Sequence, residues 1–186
     1  HYTAPHSPWT GHPADLVNSY EDCQIESSPQ ESIHPWDVGH PLTESCLGNR
    51  DMLKGYFAAV TAMDRDIGRL LDCLDRLALR EDKLVVFLSD NGFSCGHHGF
   101  WGKGNGTFPT NMYENSIKVP FIISQPNRIP ANRCQDALVS SYDFLPTLLD
   151  YLDLPLPDRR NLPLRSGFPL WLGGEDSDGH PIVFYD

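Results

Sequence analysis

At 186 residues the chain is long enough for one domain with a substantial core, and its 40% hydrophobic and 21% charged residues are ordinary for a globular protein. The formal charge of −11 excludes general nucleic-acid binding, which needs a basic face, but leaves room for an anionic ligand, because a few cations or one metal ion reverse the field inside a cleft. No apolar run approaches the roughly 18 residues that a membrane span needs.

Residues 1–47 are rich in Pro, His, Trp and Ser and show no sustained period, so long regular elements are not expected there. Trp9 and Trp36 suggest packed chain within this stretch rather than disorder. Residues 49–79 predict one long helix, with Val60, Met63, Ile67, Leu70, Leu71, Leu74 and Leu77 forming an apolar stripe and Asp and Arg on the remaining face. Leu84-Val85-Val86-Phe87-Leu88 is an unalternating apolar run, the pattern of a strand covered on both faces in a parallel sheet. Val119–Ile123 predicts a second strand and Ala137–Ser140 a third. Asp143 is placed to cap a helix through Phe144, Leu148, Leu149 and Leu152, and Ile182–Tyr185 predicts a last strand. This order is that of an α/β fold with a mostly parallel central sheet flanked by helices.

In such sheets ligands bind beyond the carboxyl ends of the strands. Asp90 and Asn91 follow the most apolar strand, and a carboxylate beside an amide oxygen suits Ca²⁺ or Mg²⁺ better than a soft metal. The same residues equally spell a plain Asp-Asn-Gly turn. Gly92, Gly96, Gly99, Gly102, Gly104 and Gly106 then make a glycine-rich loop that carries His97, His98 and Lys103, all able to donate to an anion. Two adjacent histidines rarely enter one site together, so one of His97 and His98 is read as structural. His12, His34, His40 and His180 belong to no motif and are read as structural or surface residues.

Several of these segments together resemble the sulfatase family of the alkaline-phosphatase-like superfamily. The resemblance rests on Ser89-Asp90-Asn91-Gly92, on Gly96-His97-His98-Gly99 leading to Lys103, and on Tyr113-Glu114 leading to Val119-Pro120. Tyr56–Asp64 with Ile67-Gly68, Val139–Leu149 and Ala4–Trp9 add the helix before the strand, the helix after it and a P-H-x-P element. In the family's order these motifs cover most of residues 1–152. The resemblance implies that Asp90 and Asn91 are ligands of a divalent cation, usually Ca²⁺ with Mg²⁺ possible. It implies further that Lys103 binds sulfate and steadies the leaving oxygen, that His98 is the histidine of the loop, and that His6 contacts the sulfate or the leaving group. It also implies hydrolysis of sulfate esters on a sulfated small molecule or sugar through a formylglycine.

That formylglycine arises from the first residue of C/S-x-P-x-R, and no such pattern occurs here: Cys23 leads into Gln-Ile-Glu and Cys46 into Leu-Gly-Asn. Residues 1–178 therefore read as the later portion of a catalytic domain and 179–186 as the start of a C-terminal subdomain, on a processed or fragmentary chain expected to be inactive alone. A phosphonate or phosphate ester hydrolase of the same superfamily, or a non-catalytic anion- or calcium-binding relative, remain alternatives. Five scattered cysteines with no C-x-x-C pair fit a mostly reduced set and a cytoplasmic setting.

Overall fold

A computed structural model describes residues 5–156 and 165–175. The expected strand Ile182–Tyr185 and the subdomain start at 179–186 lie outside the described residues. The chain forms two compact units, one of residues 1–78 with 91–120 and one of residues 79–90 with 121–186.

The first unit is organised around a long helix. After two short helices, α1 (Ala14–Asn18) and α2 (His40–Cys46), helix α3 runs Arg50–Arg76. Asn49 starts α3 by accepting from the backbone N–H groups of Asp51 and Met52, which satisfies two donors the helix itself leaves open. Its first half buries Leu53, Ala58 and Ala59, and Leu53 joins a core with Trp9, Ile25, Cys46, Cys95 and Trp101. Trp9 is its hub, with ring centroids 5.1 Å from Trp101 and 5.7 Å from Phe93. The apolar stripe of the second half is not covered throughout: Leu70 is 56% and Leu77 60% exposed. A periodic stripe records which side chains suit burial and not what packs on them.

The second unit contains the two strands expected from the apolar runs, β1 (Val85–Leu88) and β4 (Phe121–Ser124). They pair antiparallel, with Val85 opposite Ser124 and Leu88 opposite Phe121. The other pair, β2 (Ser94–Cys95) with β3 (Trp101–Gly102) in the first unit, is also antiparallel. Both strand pairs among the described residues are antiparallel, so the parallel pairing expected of a central sheet is not among them. An unbroken apolar run signals cover on both faces, whereas direction depends on the returning chain, which composition does not encode. Residues 137–140 are irregular rather than a third strand, with Leu138 and Val139 exposed.

Helix α5 (Phe144–Tyr151) follows a turn at Ser141–Asp143, where Ser140 and Asp143 form a reciprocal capping box. Phe121, Phe144 and Trp171 of α6 (Phe168–Trp171) pack with centroids 6.0–6.2 Å apart, and Tyr151 lies 5.7 Å from Trp171. The Tyr151 hydroxyl donates to Gln125, whose amide donates to the Glu81 carbonyl, tying the helix to the ends of the strand pair. Among the described residues no helix is long and apolar enough to cross a membrane.

Candidate active site

The glycine-rich loop is built as two tight turns around a buried hairpin. β2 and β3 are joined by a 3₁₀ turn at His97–Gly99, and β3 leads into Lys103 and a second 3₁₀ turn at Gly104–Gly106. Phe100 and Trp101 are 0% and 1% exposed, so the hairpin is anchored from beneath. The Trp101 N–H donates to the Thr43 hydroxyl at 3.1 Å. The second turn is held by an amide: Asn111 Nδ2 donates to the Gly104 carbonyl at 3.0 Å, while the Ser116 hydroxyl donates to Asn111 Oδ1 at 2.6 Å. No motif in the sequence pointed to Asn111 or Ser116 as supports of this loop.

Lys103 sits between the two turns with a half-buried side chain, and its backbone carbonyl accepts from Gly106 at 2.8 Å. Among the described residues its ammonium has no hydrogen bond and no ion-pair partner. A cation without a protein partner among the described residues, on a turn anchored by buried side chains, is suited to an anionic oxygen.

The adjacent histidines are placed differently. His97 Nε2 bonds to the Ser27 carbonyl at 2.7 Å, which ties that ring to the preceding loop. His98 adopts a left-handed backbone, φ 58°, and its backbone N–H donates to Glu31 Oε1 at 2.9 Å. Its imidazole stacks on Tyr113, centroids 3.8 Å and planes 15° apart. Gly99 makes this turn possible, since a Cβ there would stand 1.7 Å from the Ser32 carbonyl oxygen and its φ is +75°.

His34, read from sequence as structural or surface, lies against the same cluster. Its Nε2 is 3.1 Å from the Tyr113 hydroxyl and its Nδ1 accepts from the Trp36 N–H at 3.1 Å. It sits among Pro35 and Trp36 with no period or spacing to mark it, and only the return of residue 113 gives it a partner.

His6 is exposed, with Nδ1 3.2 Å from the Ser7 carbonyl. Nearby, Trp9 Nε1 donates to the Pro5 carbonyl at 2.6 Å, so the His6 segment and the Lys103 hairpin are tied to one core through Trp9 and Trp101. Among the described residues no hydrogen bond or ring contact joins His6 to His98 or Lys103.

Asp90 and Asn91 belong to different units, and each is described with its own. Asp90 follows β1, is exposed, and accepts from the Ser89 hydroxyl at 3.5 Å. Asn91 is half-buried, and its Nδ2 donates to the Gly92 carbonyl at 2.9 Å, which orients the side-chain amide. Their oxygens are hard donors of the kind calcium takes, but calcium takes six to eight, and no group of three or more His, Cys, Asp and Glu suited to a metal occurs among the described residues. Each supplies an oxygen of the donor type a divalent cation takes, far short of a full coordination shell.

The sulfatase family model matches residues 1–154. The chain is 35% identical over 105 residues to an N-acetylglucosamine-6-O-sulfatase of Bacteroides thetaiotaomicron, covering 56% of this chain and 18% of that protein. It is 30% identical over 172 residues to a choline-sulfatase of Rhizobium meliloti, covering 86% of this chain and 32% of the relative. Among solved structures it resembles the phosphonate monoester hydrolase of Agrobacterium radiobacter, with 27% identity, a TM-score of 0.62, and 70% of this chain and 25% of that one covered. The chain thus spans 18% and 32% of the length of these two curated relatives. The fold is alkaline-phosphatase-like α/β. With the family model covering most of its length, the chain belongs to the sulfatase family.

Proposed function

We propose that the protein of which this chain is part hydrolyses sulfate esters to an alcohol and inorganic sulfate, acting on a sulfated small molecule or sugar. The observation that carries this reading is the family match over residues 1–154, which takes in His6, Asp90, Asn91, His98 and Lys103. Lys103, half-buried and with no partner for its ammonium among the described residues, supports it independently, because a sulfate oxygen is the kind of partner such a group takes.

In this reading Lys103 binds a sulfate oxygen and neutralises charge as the bond from sulfur to the ester oxygen breaks. His98, with His6 as the second donor, gives a proton to the departing ester oxygen so that it leaves as an alcohol. Asp90 and Asn91 would contribute two oxygens to a calcium or magnesium ion. When bound, such an ion would offset negative charge on the sulfate, and a formylglycine outside these residues would supply the attacking oxygen, which leaves in the released sulfate and is replaced from water. In this reading the charge of Lys103, with that of such an ion when bound, would contribute most around the transferring group.

A second reading, hydrolysis of phosphonate monoesters, is favoured by the 27% identity to the phosphonate monoester hydrolase. The groups that hold sulfate also hold a phosphonate. The test is a steady-state comparison of kcat/KM on aryl sulfate, aryl phosphonate and aryl phosphate esters with the full-length protein. A preference for sulfate is expected, and a preference for phosphonate replaces the first reading with the second.

A further inference from the structure

We infer that Tyr113, held in place by His34, is a positioning residue that fixes the plane of the His98 imidazole. The inference rests on the reading of His98 as a proton donor to the ester oxygen.

Hydrogen bonding settles the direction of the chain of contacts. The Trp36 N–H donates to His34 Nδ1 at 3.1 Å, so neutral His34 carries its proton on Nε2. That proton is donated to the Tyr113 hydroxyl oxygen at 3.1 Å. The phenol is thereby anchored at its polar end, and its ring face carries the His98 ring at 3.8 Å and 15°. A near-parallel stack at this distance favours one plane for the imidazole.

The segment that supplies His34 also fixes the backbone of His98. Glu31 Oε1 accepts from the His98 N–H at 2.9 Å, and the His34 N–H donates to the Gly99 carbonyl at 2.9 Å. Residues 31–34 therefore hold the left-handed turn from outside, while Tyr113 holds the side chain. A left-handed conformation at a residue other than glycine is uncommon, and here it is secured by long-range partners rather than by the turn alone. His98 makes no other ring contact and no side-chain hydrogen bond among the described residues. The stack on Tyr113 is what sets its orientation, and proton transfer depends on that orientation.

The test uses the full-length protein with Tyr113→Leu, Tyr113→Phe, His34→Leu, His98→Gln and the double variant His98→Gln/Tyr113→Leu. Tyr113→Leu is expected to lower kcat on a sulfate ester by about tenfold or more with little change in KM, and His34→Leu to do so more weakly. Tyr113→Phe, which keeps the ring face, recovers most of the rate. The double variant falls no lower than His98→Gln alone, because Tyr113 acts through His98. Losses that add in the double variant, or wild-type kcat in Tyr113→Leu, overturn the inference. His98 ring-proton chemical shifts form the second arm: they move in Tyr113→Leu as the stacked ring is lost and hold in Tyr113→Phe. Unchanged shifts in Tyr113→Leu overturn the inference even if the wild-type protein releases no sulfate, an outcome that on its own defeats only the sulfatase reading.

Discussion

The imidazole of His98 lies flat on the ring of Tyr113, with centroids 3.8 Å apart. Through this contact the glycine-rich loop meets the Tyr-Glu segment, two stretches that stand apart as motifs in the sequence. Lys103 lies on the far side of the same hairpin, held by buried Phe100 and Trp101 and by the Asn111–Gly104 bond. The placement of His98 and Lys103 depends on packing beneath the loop and on a few long-range polar contacts.

Replacing Lys103 with Ala is expected to lower kcat/KM on a sulfate ester by about 10²–10³-fold in the full-length protein, the scale seen when one preorganised charge stabiliser is removed. Because its ammonium has no partner among the described residues, the melting temperature should hardly change. Steady-state kinetics alongside a thermal melt separates the two effects. An unchanged rate would place Lys103 on a solvated surface.

Two glycines of α3 should respond to the same substitution with opposite signs. A Cβ at Gly55 would stand 1.7 Å from the Trp9 carbonyl oxygen, whereas at Gly68 it meets nothing within 4 Å. Gly55→Ala is expected to destabilise by about 1–3 kcal/mol or more, as overpacking does. Gly68→Ala is expected to stabilise by about 1 kcal/mol or less through helix propensity. Urea unfolding of the pair reads both numbers. Equal effects would contradict the close approach of Trp9 to the helix.

The cysteines should divide by burial. All five are free, with Cys23 and Cys134 exposed and Cys46 and Cys95 buried. Burial pushes the Cys95 thiol from its ordinary 9.0 up to about 12, and raises Cys46 and Tyr56 as well. Since the folded chain holds the Cys95 proton more tightly than the unfolded one, this contribution to stability is fully present below pH 9 and is lost as pH rises from there towards 12. A thiol reagent at about pH 8 should label Cys23 and Cys134 quickly and Cys95 only on unfolding. Mass spectrometry of the labelled peptides decides it, and rapid labelling of native Cys95 would count against the core around Trp9.

If Asp90 is a cation ligand, calcium at about a hundred times its Kd should stabilise the full-length protein by about 2.7 kcal/mol, and Asp90→Ala should abolish most of that gain. Thermal melts with and without calcium measure this without reference to activity. An equal calcium-induced shift in the variant would remove Asp90 from the metal site.

Much of this architecture was legible from local pattern. The long helix expected over 49–79, the apolar runs 84–88 and 119–123, and the loop bearing His98 and Lys103 all follow from short-range signals of period, glycine and charge. What escaped depends on long-range return of the chain. Strand direction between β1 and β4 is not written in either run, and residues 137–140 have no neighbouring strand among the described residues to make them one. The exposure of Leu70 and Leu77 shows a stripe only partly covered among the described residues. His34 escaped for the same reason: its neighbours Pro35 and Trp36 carry no signal, and its partner lies far along the chain at Tyr113.

In the proposed reaction the bond from sulfur to the ester oxygen breaks, so sulfur and not carbon is attacked. Steady-state hydrolysis of an alkyl sulfate ester by the full-length protein in ¹⁸O-labelled water tests this. Label is expected in the released sulfate and none in the alcohol. Label in the alcohol, or no release of sulfate at all, would contradict it.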